Sequence, residues 1–161
     1  MKTSETATNC RRIGVDFHGV INHDPLFFRA FCAHALQNGD ELFIISGGPR
    51  EYIARYLSEN KIPYTHLWCI LDECIRRDIV TFYPDGSFFV DHTIWNEAKG
   101  IYCHQNKIGL HIDDSEIYGL SFTTPFCLYQ TRSREFIIEH HHISAEQGAD
   151  KVYADLIKYC R

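Results

Sequence analysis

The sequence predicts an α/β fold: a doubly wound, mainly parallel sheet with helices on both faces, three layers in all. Two observations point there. Short apolar or β-branched runs alternate with segments of helical spacing through most of the chain. Those runs are continuously apolar, as strands buried on both faces are.

Residues 1–10 read as a loose tail and 11–161 as a single domain. Arg12–Val15 is the first buried strand and stops at Asp16. Asp24 then caps a helix with Pro25 at its first position. Leu26, Phe27, Phe31, Ala35 and Leu36 form its inner stripe, and Gly39 ends it. Residues 41–45 make a second strand ending at Ser46. Gly47-Gly48-Pro49 turns into another helix, with Tyr52, Ile53, Tyr56 and Leu57 inside. A third strand is expected over 66–71 and a short helical piece over 73–77. Residues 79–82 and 87–90 flank Tyr83-Pro84-Asp85-Gly86, a hairpin signal that makes 79–91 a small β insert. A helix over 96–105, a strand over 108–112 and a strand over Phe126–Gln130 follow. Ser144 with Gln147 reads as a capping box for a last helix, with Val152, Tyr153, Leu156 and Ile157 inside.

Composition narrows the class of function. The chain has 161 residues, 45% of them hydrophobic, which is ample for a core and excludes long disorder. Sixteen Lys and Arg against 21 Asp and Glu give a net charge of -5, against a nucleic-acid or anionic-membrane surface. No apolar run is long enough to span a bilayer, and the polar first twelve residues lack a signal-peptide core. The seven cysteines are odd in number, scattered and mostly inside apolar runs. They imply a reducing, cytoplasmic setting and no disulfide framework.

In a doubly wound sheet, ligands bind beyond the carboxyl ends of the strands. Asp16, Ser46 and the pair Asp113-Asp114 stand at three such ends, with Lys99 near a helix start. Several carboxylates at one spot call for a divalent cation, and hard oxygen donors select magnesium. Ser46, the amides of Gly47 and Gly48, and the following helix can take up a phosphate. Lys99 can neutralise it, and Arg50 is placed to face it. A carboxylate in line with phosphorus can then act as a nucleophile.

This order of elements resembles the haloacid dehalogenase superfamily, from Arg12 to Gln130. Asp16-Phe17-His18-Gly19-Val20 is similar to its first motif, Ser46 to its second, Lys99 to its third and Asp113-Asp114 to its fourth. The resemblance implies Asp16 as nucleophile and metal ligand, with the main-chain carbonyl of His18, Asp113 and Asp114 completing the magnesium site. It implies Ser46 as the phosphoryl contact and Lys99 as the bridge between phosphate and nucleophile. The expected activity is a phosphohydrolase working through an aspartyl-phosphate on a phosphorylated small molecule or macromolecule.

His18 departs from the pattern. Phosphatases of the superfamily carry an Asp there as general acid and base. Imidazole can exchange protons, but a cationic imidazole is disfavoured beside a divalent cation. The expectation is therefore a slow enzyme, best with good leaving groups. The alternative is a weak or inactive domain that binds a phosphorylated ligand or partner.

Plainer roles compete at several positions. Ser46 can cap the following helix, Lys107 rivals Lys99, and His111 reads as a packed core residue. His140-His141-His142 reads as a solvated run rather than a zinc site, because neighbouring side chains on a strand point apart. Cys69 and Cys74 read as core. Trp68, Trp95 and Tyr83 are candidates for the mouth of the site, with buried packing the default for large aromatics.

Overall fold

The computed structural model describes residues 10–161. The tail expected over 1–10 lies, apart from Cys10, outside the described residues. The fold is α/β, with a seven-stranded, mostly parallel sheet and a separate two-stranded antiparallel pair. The strands are β1 (Arg12–Val15), β2 (Glu41–Ser46), β3 (His66–Cys69), β4 (Thr81–Phe82), β5 (Phe88–Phe89), β6 (Leu110–Asp113), β7 (Phe126–Gln130), β8 (Glu135–Ile138) and β9 (His141–Ser144). The helices are α1 (Pro25–Gln37), α2 (Arg50–Glu59), α3 (Ile70–Arg76), α4 (His92–Gln105), α5 (Glu116–Gly119) and α6 (Ala149–Leu156).

The large sheet has the order β3-β2-β1-β6-β7-β8-β9. The first five strands are parallel, and β8 and β9 run antiparallel at one edge. From β1 the chain winds outward through β2 and β3, then returns to β6 on the other side of β1. The direction of winding reverses between β1 and β6, which opens a crevice at their carboxyl ends.

Alternation along the strands sorts the two cores. Ile13, Val15, Leu42, Ile44, Leu110 and Ile112 pack with α1, α2 and α6. Phe43 and Ile45 face the other way and pack with Cys103 of α4. Asp24 caps α1 by accepting from the Phe27 amide at 3.2 Å, as its place before Pro25 predicts. Leu26 is 68% exposed and belongs to no core. The inner stripe is instead Phe27, Phe28, Phe31, Cys32 and Ala35, which repeats at the helical period. On α2 only Ile53 and Leu57 are buried, and Tyr52 is 48% exposed.

Several boundaries differ from the sequence reading. α4 starts at His92, not near Asn96, because the Asp91 carboxylate accepts from the amides of Thr93 (2.9 Å) and Ile94 (3.2 Å). Lys99 therefore sits in mid-helix rather than at a helix start. α3 begins at Ile70, directly after a shorter β3. Ser144 caps a single 3₁₀ turn, Ala145–Gln147, and α6 begins only after Gly148. Gln147 bonds Asp155 at 3.3 Å instead of closing a capping box. Strand β8 was not foreseen, and β9 takes in His141 and His142 from the histidine run read as strand or loop.

Five cysteines are buried and all seven are free thiols. Among the described residues, no helix is long and apolar enough to cross a membrane.

Candidate functional site

The register of the central strands brings the first two carboxylates together. Val15 pairs with Ile112, so Asp16 and Asp113 come next on neighbouring strands. The Asp16 amide continues the ladder, donating to the Ile112 carbonyl at 2.9 Å. Since Leu110 and Ile112 face the core shared with α1 and α6, His111 and Asp113 turn to the α4 side. On α4, Lys99 and Cys103 are four residues apart and share the inner face. Cys103 fills the apolar core while Lys99 reaches the carboxylates.

Lys99 is almost fully buried, with Nζ 2.6 Å from Asp113 Oδ2 and 3.0 Å from Asp16 Oδ1. Its ammonium also lies 4.3 Å from the centre of the Tyr118 ring. Burial works against this charge, but the attraction of Asp16 and Asp113 outweighs it and raises the Lys99 pKa. Asp113 is held from three sides. Oδ2 accepts from Lys99 and from His111 Nε2 (3.0 Å), and Oδ1 accepts from the Ser115 amide (3.0 Å). Burial pushes Asp113 up, yet the His111 bond and the Lys99 charge prevail and its pKa falls.

Asp16 fares differently. Its Oδ1 accepts from the Phe17 amide at 2.8 Å and faces Lys99. Burial dominates, Asp113 adds repulsion, and the Asp16 pKa is pushed well above the ordinary carboxylate range despite Lys99. Asp114 is raised too, by burial and then by Asp113. Among the described residues, three carboxylates share one cationic side chain, and the surplus negative charge is felt by Asp16.

These groups border a cavity of about 580 Å³. Asp16, Ser46, Lys99 and Asp114 line it, with the loop Gly47–Pro49 and His18-Gly19 on its rim. Ser46 is completely buried, and its hydroxyl has no hydrogen-bond partner among the described residues. α2 has no side-chain cap, so the capping role open to Ser46 is not the one it plays. His18 Nε2 lies 3.0 Å from the Gly48 carbonyl oxygen. A carbonyl only accepts, so that nitrogen carries the proton, and Nδ1 has no hydrogen-bond partner among the described residues. This bond joins the turn after β1 to the glycine loop after β2.

Two expectations need correction. Arg50 does not face the cavity: its Nε donates to Asp72 at 2.8 Å and its guanidinium also bonds the Leu67 carbonyl at 2.6 Å. A carboxylate on α3 and an open carbonyl on β3 draw it outward along α2. Of the aromatics expected at the mouth, only Trp95 lines it. Trp68 stacks on Tyr102 at 4.2 Å, and Tyr83 gives way to its neighbour Phe82 and to Phe88. Phe82, Phe88, Leu71 and Tyr118 were missed because nothing in their sequence context marks them as lining a site. His111 is buried as expected, but it also donates to Asp113. The run His140-His141-His142 is exposed.

One oxygen from each of Asp16, Asp113 and Asp114 can be chosen so that all three lie within 4.8 Å of one another. That spacing and the all-oxygen donor set fit a hard divalent cation. The fit is strengthened by Asp16 Oδ2, which has no protein donor among the described residues. Asp113, with both oxygens engaged, lies behind the cavity wall. Asp16 and Asp114 face the cavity itself. No protein-family model, no curated protein and no solved structure matches the chain.

Proposed function

We propose that the chain is a phosphohydrolase of the haloacid dehalogenase type, using Asp16 as nucleophile on a phosphomonoester. The observation that carries this reading is the Ser46 hydroxyl. It is buried, and without a partner among the described residues, on the wall of the cavity that Asp16 and Lys99 also line. An unsatisfied buried hydroxyl costs about 1–3 kcal/mol. A phosphoryl oxygen received there recovers that cost and is brought within reach of a carboxylate.

In this reading an Asp16 oxygen attacks phosphorus, the bond from phosphorus to the ester oxygen breaks, and the leaving group departs as an alkoxide or phenoxide that takes its proton from solvent. An aspartyl-phosphate is left on Asp16. Water then attacks that phosphorus, His18 Nδ1 receives the water proton, and inorganic phosphate leaves with the Asp16 carboxylate restored. Lys99 stays protonated throughout and holds Asp16 in place. A divalent cation of the magnesium class would be held by Asp16 and Asp114, with Asp113 behind them, and would supply the charge that keeps Asp16 ionised.

His18 favours a second reading: a domain that binds a phosphorylated ligand without turning it over. Its Nε2 proton is committed to the Gly48 carbonyl, so a neutral His18 has no proton to give the departing alcohol. An assay on an aryl phosphate, with and without magnesium, separates the two. The first reading expects turnover that needs magnesium and disappears in Asp16→Asn. A native protein without turnover that gains it on His18→Asp supports the second.

A further inference from the structure

The cavity has two unlike halves. Its floor is the polar set just described, and its far wall is aromatic. In the hairpin, Phe82 pairs directly with Phe88, so both side chains stand on one face, and that face borders the cavity. They are 59% and 40% exposed, unusually open for such large apolar groups. Phe88 lies 5.7 Å from the Trp95 ring, and Phe82 lies 6.4 Å from Phe88. Trp95 is in turn fixed from two sides. Its Nε1 donates to the Tyr118 hydroxyl at 3.2 Å, and its ring lies so close to Gly47 that a Cβ there would come within 2.9 Å. The aromatic wall is therefore built onto the same loop that presents Ser46.

Charge narrows the ligand further. Lys99 and His18 are the only basic side chains among the lining residues, against Asp16 and Asp114. Arg50 is turned away to Asp72. Such a site accepts one phosphoryl group and offers nothing to a second phosphate or an acidic neighbour. The far wall carries few groups able to satisfy the hydroxyls of a sugar.

Resting on the phosphohydrolase reading, we propose that Phe82, Phe88 and Trp95 receive the ring of an aryl phosphomonoester, the phosphate ester of a phenol. The ring covers the two exposed phenylalanines while the phosphate reaches Ser46. A volume of about 580 Å³ suits a ligand of this size.

Phosphonates test this without the confounding effect of leaving-group reactivity, because their carbon–phosphorus bond is not cleaved. Native protein with magnesium is titrated calorimetrically with phenylphosphonate and with ethylphosphonate. The expected result is about tenfold tighter binding of phenylphosphonate. That preference should fall to about threefold or less in the Phe82→Ala/Phe88→Ala double variant, where Trp95 alone remains, with ethylphosphonate affinity unchanged within about twofold. Both positions are exposed, and unchanged thermal unfolding of the variant confirms that it folds. Equal affinities in the native protein, or a preference that survives the double variant undiminished, overturn the aromatic assignment while leaving the phosphate site standing. Binding of neither phosphonate overturns both.

Discussion

The carboxylate of Asp114 occupies the space in which a side chain on Gly19 would have to stand. A Cβ on Gly19 would lie 2.0 Å from Asp114 Oδ2. Gly19 also has a φ of +76°, a conformation that costs an L-residue about 1–2 kcal/mol. Both constraints have one origin. The turn Phe17–Ile21 folds back at the carboxyl end of β1, where the Asn22 amide closes it onto the Phe17 carbonyl at 3.1 Å, and so lays the Gly19 backbone against the acidic pair.

Gly19→Ala is therefore expected to lower stability by about 2 kcal/mol in urea unfolding, part from backbone strain and part from displacing Asp114. Adding Asp114→Ala removes the obstruction and should return part of that loss. A double variant no more stable than Gly19→Ala alone would show that backbone strain carries the whole effect.

Asp16, the acidic pair and Ser46 were legible because each directly ends or follows a buried apolar run, and the ends of parallel strands converge. Lys99 was legible as a residue but not in its setting. Asp91 supplies the real cap of α4, yet it directly follows the hairpin strand and was absorbed into the insert. The antiparallel edge was hidden for a different reason. β8 and β9 are joined by Glu139 and His140, with φ of +47° and +68°. A two-residue hairpin turn that needs positive φ at both positions is usually announced by Asn or Gly, and here neither is present. Arg50 was misjudged because its partner Asp72 is 22 residues away, on a helix whose packing no local pattern reports.

The raised pKa of Asp16 has a definite sign. The folded protein binds that proton more tightly than the unfolded chain. Its contribution to stability is thus full at low pH and is lost as pH rises through the elevated value. Asn cannot ionise, so without added metal the stability of Asp16→Asn relative to native should grow by about 1–2 kcal/mol between roughly pH 5 and pH 8. Excess magnesium should shrink that gain by stabilising the native carboxylate. Urea denaturation at the two pH values tests this, and a difference that is flat with pH would sink it.

His111 acts on the site only through Asp113. Burial lowers its pKa and keeps the ring neutral, so Nε2–H donates to Asp113 while Nδ1 has no hydrogen-bond partner among the described residues. Its ring stacks on Phe122 at 5.2 Å, which His111→Phe preserves in kind while removing the donor. That variant is expected to lose about 1–2 kcal/mol of stability. With Asp113 less firmly held, Lys99 should lose its fixed position. Turnover of an aryl phosphate should then fall several-fold with little change in KM. A change confined to KM would place His111 in ligand binding instead.

At the opposite end of the sheet, Tyr153 of α6 donates to the buried Asp40 and accepts from the Arg11 guanidinium at 3.1 Å, while Arg11 Nε donates to Asp40 at 2.9 Å. The three residues tie the starts of β1 and β2 to α6. Burial, and then the bond and charge of Asp40, push the Tyr153 hydroxyl up from 10.0 to about 12. A raised value means that the folded state keeps the proton longer, so this contribution is complete below pH 10.0 and is lost as pH rises toward about 12. Tyr153→Phe leaves Asp40 short of a donor and should cost about 1–3 kcal/mol at neutral pH. Because the variant has no proton to lose, the gap between it and the native protein should narrow above pH 10.0. Unfolding in urea at pH 7 and near pH 11 measures both arms, and a gap independent of pH would mean that the Tyr153 contribution is packing rather than the hydroxyl.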